Sequence, residues 1–321
     1  MMEWNMIRIG ILGAADIAYN KFIPALCQVS GAECAGVASN SGKKIERFVE
    51  KYNLHVYSSY DEVINDGSVD CVYIPLPPAF HYEWAKKALL AGKHVFLEKP
   101  STTSLECTKE LVELAGERGL VIQENYMFQY HDQLARLKEL VAEGRIGKLR
   151  LVRTSFGFPR RAEGDFRYNK ALGGGTMMDN GGYTIKLITE LLGGSTRYIS
   201  SKLDYDEETG VDIFGTAEFA NDDGVIAQAA FGMDCQYQCS LELWGSKGRI
   251  TTGRIYTAPA DYTPTALIET GSESATIELP GDDHFVKSIR MFLEALNDEN
   301  IRKNMAAALV RQSAFVEDVR K

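Results

Sequence analysis

The sequence predicts an α/β protein, with a doubly wound parallel-sheet domain first and an α+β domain on a mostly antiparallel open sheet second. Three observations predict it. Compact apolar runs alternate with helical periodicity through residue 125, a glycine-led turn joins the first run to the first helix, and strand-like patterning takes over after residue 148. At roughly 150 residues per domain, the 321-residue chain divides into two, placed at 1–125 and 126–321.

Residues 7–12, 33–39, 69–74, 94–98 and 120–124 are short runs rich in Val, Ile, Leu and Cys. Segments 17–29, 43–52, 80–90 and 104–118 between them carry helical spacing. Buried strands alternating with helices of this length specify a parallel sheet covered on both faces. Gly92 and Gly119 stand where a residue just past a helix end is usually glycine. One further helix, 132–143, stops at Gly144. Beyond it, 149–158, 197–204, 212–219, 224–231 and 239–244 read as strands, with a hairpin turn at Asn221-Asp222-Asp223-Gly224. Only 174–192, 283–297 and 304–320 read as helical there.

Composition excludes several functions. Lys plus Arg is 35 against 44 for Asp plus Glu, a net charge of −9, and no basic cluster exceeds a pair. That balance argues against nucleic acid or an anionic membrane as partner. No apolar run approaches the ~20 residues that cross a bilayer, and the start lacks a signal-peptide layout, so a cytoplasmic location is expected. Six scattered cysteines fit reduced thiols in a reducing compartment, and no His/Cys/carboxylate group has metal spacing.

The segment Ile9-Gly10-Ile11-Leu12-Gly13-Ala14-Ala15-Asp16-Ile17-Ala18 places strand, tight turn and helix start in the order of a dinucleotide-binding Rossmann domain. Gly13, Ala15 and Ala18 fall where G-x-G-x-x-G has glycines. Alanine at the second position narrows the approach to a pyrophosphate without closing it, and the helix N–H groups still offer an anion site. After the second strand, where a carboxylate would hold the ribose of NAD, stand Ser39, Asn40, Ser41, Gly42, Lys43 and Lys44. Hydroxyls and two lysines suit a 2′-phosphate, so NADP is expected, with NAD as the alternative. Lys43 and Lys44 can equally be the solvated face of a helix.

Four more segments carry chemistry: Tyr73-Ile74-Pro75-Leu76-Pro77-Pro78-Ala79-Phe80-His81, Phe96-Leu97-Glu98-Lys99-Pro100, Gln123-Glu124-Asn125-Tyr126-Met127-Phe128, and Gly173-Gly174-Gly175-Thr176-Met177-Met178-Asp179-Asn180-Gly181-Gly182-Tyr183. With the first turn, they resemble the Gfo/Idh/MocA oxidoreductases over nearly the whole chain. Within that family, the run from Gly164 to Tyr168 and that from Leu243 to Pro259 look most like sugar-nucleotide 3-ketoreductases of deoxysugar biosynthesis. The resemblance implies a cofactor side of Gly13, Ala14, Ala15, Asp16, Ile17, Ser39, Asn40, Lys43, Lys44, Pro75, Leu76, His81, Glu98, Lys99 and Asn125. It implies a substrate side of Tyr126, His131, Arg167, Tyr168, Asp179 and Tyr183.

Lys99 ends a parallel strand, where ligands bind in open α/β sheets, and Pro100 sets the chain direction after it. An ammonium there polarises a carbonyl oxygen; the plainer alternative is a pair with Glu98. Asp179 and Tyr183, four residues apart, share a helix face, with Ile185, Ile188 and Leu192 opposite as the buried stripe. Tyr183 would exchange a proton with the substrate oxygen, its pKa of about 10 lowered by Lys99, and Asp179 would orient the sugar or the Lys–Tyr pair. Arg167 and Tyr168 are candidates to grip sugar or phosphate. His81 and His131 have helix-entry readings as alternatives. Many members of the family carry histidine at the position of Tyr183 and an acid or amide at that of Lys186, so a histidine relay is excluded here.

The expected activity is hydride exchange between a nicotinamide and a sugar carbonyl or alcohol carbon, reducing a 3-keto group on a nucleotide-linked deoxysugar. The rivals are a dihydrodiol or aldose dehydrogenase of the same fold and, in another class, a non-catalytic sugar or cofactor sensor. An open sheet in need of cover implies a homodimer or homotetramer.

Overall fold

A computed structural model describes residues 6–40, 42 and 44–321. The chain forms two compact units, one of the residues to Asn125 with Phe285–Ser313, the other of Tyr126–His284 with Ala314–Lys321.

The first unit holds six parallel strands: β1 (Ile7–Leu12), β2 (Ala32–Ala38), β3 (Val56–Tyr57), β4 (Cys71–Ile74), β5 (His94–Leu97) and β6 (Ile122–Glu124). Their order is β3-β2-β1-β4-β5-β6. All four residues of β4 are buried, as expected of strands covered on both faces. The order reverses between β1 and β4, which makes the carboxyl ends of those strands the place for a ligand. The connecting helices are α1 (Ile23–Leu26), α2 (Glu46–Tyr52), α3 (Tyr60–Asn65), α4 (His81–Leu90) and α5 (Leu105–Glu117). Sequence patterning assigned nothing to 53–68. Two-residue β3 is too short to show a period, and α3 announces itself only through Ser59, whose hydroxyl accepts from Glu62 N at 3.1 Å. The first helix also differs from a plain α-helix over 17–29, since a π-helical turn, Ala18–Phe22, precedes α1.

The unit is completed from the far end of the chain. The second domain, expected to run to 321, gives up Phe285–Ser313 to the first unit. Phe292 of α8 (His284–Asn297) is fully buried and lies 5.3 Å, centroid to centroid, from Phe96. Gln123 Nε2 donates to Ser288 Oγ at 2.8 Å. Next comes α9 (Glu299–Arg320), which starts earlier than its periodicity indicated because Asp298 Oδ1 accepts from Asn300 N at 2.8 Å.

The second unit contains α6 (Asp132–Ala142), β7 (Leu149–Gly157), α7 (Gly182–Leu192), β8 (Arg197–Tyr205), β9 (Asp212–Ala220), β10 (Ile226–Gly232), β11 (Gln238–Gly245), β12 (Gly248–Gly253), β13 (Thr265–Thr270) and β14 (Glu273–Glu278). The eight strands run β14-β13-β12-β11-β7-β10-β9-β8, antiparallel except for β7 beside β10. The last three had no place in the sequence expectation; glycines end β12 and nearly all of β14 is exposed, so neither shows a clean apolar alternation. One face buries Val152, Phe156, Phe219, Phe231, Leu241 and Leu243. The other carries Ile226 and Trp244, both exposed, and an ionic ladder in which Arg153 binds Glu242 at 3.0 Å. No helix among the described residues is long and apolar enough to cross a membrane.

Candidate active site

In the first unit the chain leaves β1 through Gly13, whose φ is +122° and whose N–H donates to Ala38 O at 2.9 Å. A Cβ on Gly13 would stand 2.8 Å from Leu76 Cδ2. Only glycine fits, and the space in front of the turn stays open to an approaching pyrophosphate. Ala14, Ala15 and Ile17 are half-buried and Asp16 is exposed. Asp16 pairs with Lys44 at 3.0 Å and Arg47 at 2.7 Å, and hydrogen bonds from Lys44 and then Arg47 hold its carboxyl below the ordinary range. Ser39 is half-buried and Asn40 exposed; Lys43 lies outside the described residues. A glycine cradle with cations past the second strand fits a phosphorylated dinucleotide.

Lys99 follows the carboxyl end of β5, half-buried, and its bond to Pro100 is cis. Pro75 is buried and Leu76 half-buried on the loop after β4. Three expected cofactor residues turn inward instead. Glu98 Oε1 accepts from Tyr73 Oη at 2.7 Å and Asn125 Nδ2 at 2.8 Å, and Ser288 Oγ donates to Asn125 Oδ1 at 2.8 Å. Burial raises the Glu98 carboxyl above its usual value, against those donors. Lys99 follows directly, and its backbone N–H and its charge both favour the ionised form of that carboxyl. The third, His81, is fully buried, with Nδ1 2.7 Å from Pro100 O and Nε2 2.7 Å from Leu76 O. It joins the two loops rather than lining a cofactor. Burial lowers its pKa to about 4.

In the second unit the glycine run is explained by close approach. A Cβ on Gly174 would strike Arg167 O, and one on Gly175 would strike the Asp212 carboxylate. Asp212, from the start of β9, accepts from Met177 N at 2.6 Å. It thereby caps the π-helical turn Met177–Gly181 that leads into α7. Its carboxyl is raised by burial, against the Met177 N–H.

Arg167 and Asp179, both expected to face substrate, bind each other: Nε donates to Oδ2 at 2.6 Å. Asp165 takes a second side of the guanidinium at 3.1 Å, so the fork that could grip a phosphate is filled by carboxylates. Tyr168 is also engaged, accepting from Arg161 N at 2.9 Å and donating to Met233 O at 3.1 Å. His131 is buried and its Nδ1 accepts from Gln133 N at 3.1 Å, capping α6.

Tyr183 was expected to project away from the buried stripe of its helix. Ile185, Ile188 and Leu192 are buried as foreseen, but so is every residue of α7 from Gly182 to Thr189. The ring of Tyr183 lies among Tyr126 at 5.1 Å, Phe156 at 5.3 Å, Phe128 at 5.7 Å and Tyr256 at 5.8 Å. Its hydroxyl is 3.7 Å from Met127 Sδ. The helix is enclosed on every side through Thr189, so burial does not single out one stripe of it; the π-helical turn before it alters only the angular step between Asp179 and Tyr183.

Residues 7–126 match the model of an oxidoreductase family with an NAD-binding Rossmann fold, and residues 134–251 match the Gfo/Idh/MocA C-terminal domain. The chain belongs to the Gfo/Idh/MocA oxidoreductase family. A dTDP-3,4-didehydro-2,6-dideoxy-α-D-glucose 3-reductase of Actinomadura kijaniata is 36% identical over 98% of this chain and 95% of its own. The corresponding enzyme of Streptomyces violaceoruber is 37% identical, covering 98% and 95%. A crystal structure of a 3-ketoreductase from A. kijaniata with NADP and TDP-benzene superposes with a TM-score of 0.95, at 36% identity over 98% of this chain and 97% of that one.

As a Gfo/Idh/MocA oxidoreductase the chain uses a nicotinamide cofactor. Three residues of this member escaped the sequence reading. Arg47 stands three positions past Lys44, in the first turn of α2, and a third basic residue so close to the lysines was a signal there to use. Asp212, at the start of β9, and Tyr256, in the turn after β12, are distant in sequence, and nothing local marks them.

Proposed function

We propose that this chain is an NADP-dependent 3-ketoreductase of a nucleotide-linked deoxysugar. The single observation that carries the reading is Lys99, a cation set at the carboxyl end of a parallel strand, half-buried, while the glutamate before it is held in an interior network. Full-length relatives that reduce such sugars support the substrate class. Among their solved structures are variants with one lysine or one tyrosine replaced. Those two residues stand as far apart in that chain as Lys99 and Tyr183 do here.

When bound, the cofactor supplies the hydride. Lys99 polarises the carbonyl oxygen and stabilises the charge that grows on it. Tyr183 donates the proton that completes the alcohol. Its aromatic surroundings keep water from the phenol. Asp179, through Arg167, fixes the start of the helix that carries Tyr183. The enzyme acts in the cytoplasm, as a homodimer or homotetramer whose copies cover the exposed sheet face around Ile226 and Trp244.

The test is NADPH oxidation with a dTDP-linked 3-keto-deoxysugar, set against D-xylose and a dihydrodiol with NADP. Turnover of the keto-sugar by wild type and its loss in Lys99→Met are expected. Lys99→Met working at the wild-type rate, or turnover only of the xylose or the diol, defeats the proposal.

A further inference from the structure

Asp16, Lys44 and Arg47 form a charged group that the reaction chemistry does not use. The Asp16 carboxylate spans both cations with separate oxygens, Oδ1 at 2.7 Å from Arg47 and Oδ2 at 3.0 Å from Lys44 Nζ. Arg47 also donates to the carbonyl of Ala14, inside the dinucleotide turn, at 3.3 Å. Its guanidinium lies 4.4 Å over the ring of Tyr19, and its Nε is buried without a hydrogen-bond partner. Lys44 takes a left-handed backbone, φ +63°, rare for a side chain of this kind. Two cations from the segment after β2 are thus aimed at a single anion position beside the turn. In this fold that segment is where a ribose 2′-phosphate is told from a 2′-hydroxyl.

A carboxylate offers one negative charge and two oxygens. A 2′-phosphate offers up to two charges and three acceptor oxygens, the better partner for a guanidinium and an ammonium together. We propose that Asp16 is an internal stand-in for the 2′-phosphate. It holds Lys44 and Arg47 until the cofactor arrives, the phosphate displaces it, and the cost of that displacement sets how tightly NADP is held relative to NAD. A site whose receptive state is only a fraction of the population binds more weakly by that fraction, so Asp16 tempers NADP affinity and leaves NAD untouched. The inference rests on the reading of this chain as NADP-dependent.

Calorimetric binding without sugar substrate tests it, with adenosine 2′,5′-bisphosphate against AMP and NADP against NAD. In Asp16→Asn the bisphosphate and NADP are expected to bind several-fold more tightly, with AMP and NAD unchanged. In Arg47→Gln the bisphosphate and NADP are expected to weaken by about tenfold or more beyond any change in AMP and NAD, the loss of a charge-assisted contact. Unchanged or weaker NADP binding in Asp16→Asn overturns the displacement, as do equal shifts for the bisphosphate and AMP in either variant. A wild type that binds NAD as tightly as NADP overturns the NADP-dependent reading itself. A wild type that prefers NADP beside an unresponsive Asp16→Asn overturns the present inference alone.

Discussion

Arg167 donates from Nε to Asp179 Oδ2 across 2.6 Å, while its Nη1 lies 3.1 and 3.3 Å from the two oxygens of Asp165. One guanidinium therefore ties the segment before the glycine run to the helical turn after it. Removing the cation leaves two half-enclosed carboxylates facing each other. Arg167→Ala is expected to lose about 3 kcal/mol of stability in urea unfolding, whereas Asp179→Asn, which keeps a hydrogen-bond acceptor, loses about 1 kcal/mol. Equal losses would mean that the ion pair is not what holds the segment.

Tyr183 gives a cleaner separation of chemistry from stability. Its hydroxyl has a soft, weak acceptor in Met127 Sδ, so Tyr183→Phe is expected to keep the melting temperature within a few degrees. Loss of the proton donor lowers kcat by about 10²-fold or more. A rate within a factor of two of wild type removes Tyr183 from the proton transfer.

His81 ties stability to pH. Its native pKa lies near 4, below the unfolded value of about 6.5, so the unfolded chain binds the extra proton first as pH falls. The stability it contributes is complete above pH 6.5 and is lost as pH falls through that window, by about 3 kcal/mol at full extent. Denaturant midpoints taken between pH 7 and pH 4 should show this decline, and His81→Gln should flatten it. An equally steep decline in His81→Gln would place the titration elsewhere.

Glu98 has the opposite sign. Burial raises its native pKa, so the folded protein binds the proton more tightly than the unfolded one, and stability falls as pH rises from the ordinary glutamate value through the raised one. Tyr73 and Asn125 both donate to the same atom, Oε1, and a glutamine keeps that acceptor. Glu98→Gln is expected to fold, to lose this pH dependence, and to slow turnover because the charge beside Lys99 is gone. Wild-type turnover in Glu98→Gln would show that this charge does not matter to the reaction.

The parallel sheet, the glycine turn and the end of β5 at Lys99 were legible because each is written locally, in a run of apolar residues, one glycine or one proline. Side-chain direction was not. Glu98, Asn125 and His81 sit in the right segments, but their partners, Tyr73, Ser288 and the Leu76 and Pro100 carbonyls, are contributed by other elements. Arg167 and Asp179 each looked like a ligand-facing group because neither sequence neighbourhood reveals that the other will neutralise it. The burial of Tyr183 was hidden for a different reason: α7 is enclosed on every side through Thr189, by elements that its own residue pattern does not announce.

Phe292 packs at a tilt against Phe96, yet nearly two hundred residues separate them, and the second unit's Tyr126–His284 lies between. During synthesis on the ribosome the β5–β6 side of the first sheet waits bare until α8 has been made. A nascent or truncated product ending at residue 125 would present that greasy strip to chaperones and to its own kind, so the first unit is completed only after Phe285–Ser313 has been made, not in the order in which its strands emerge.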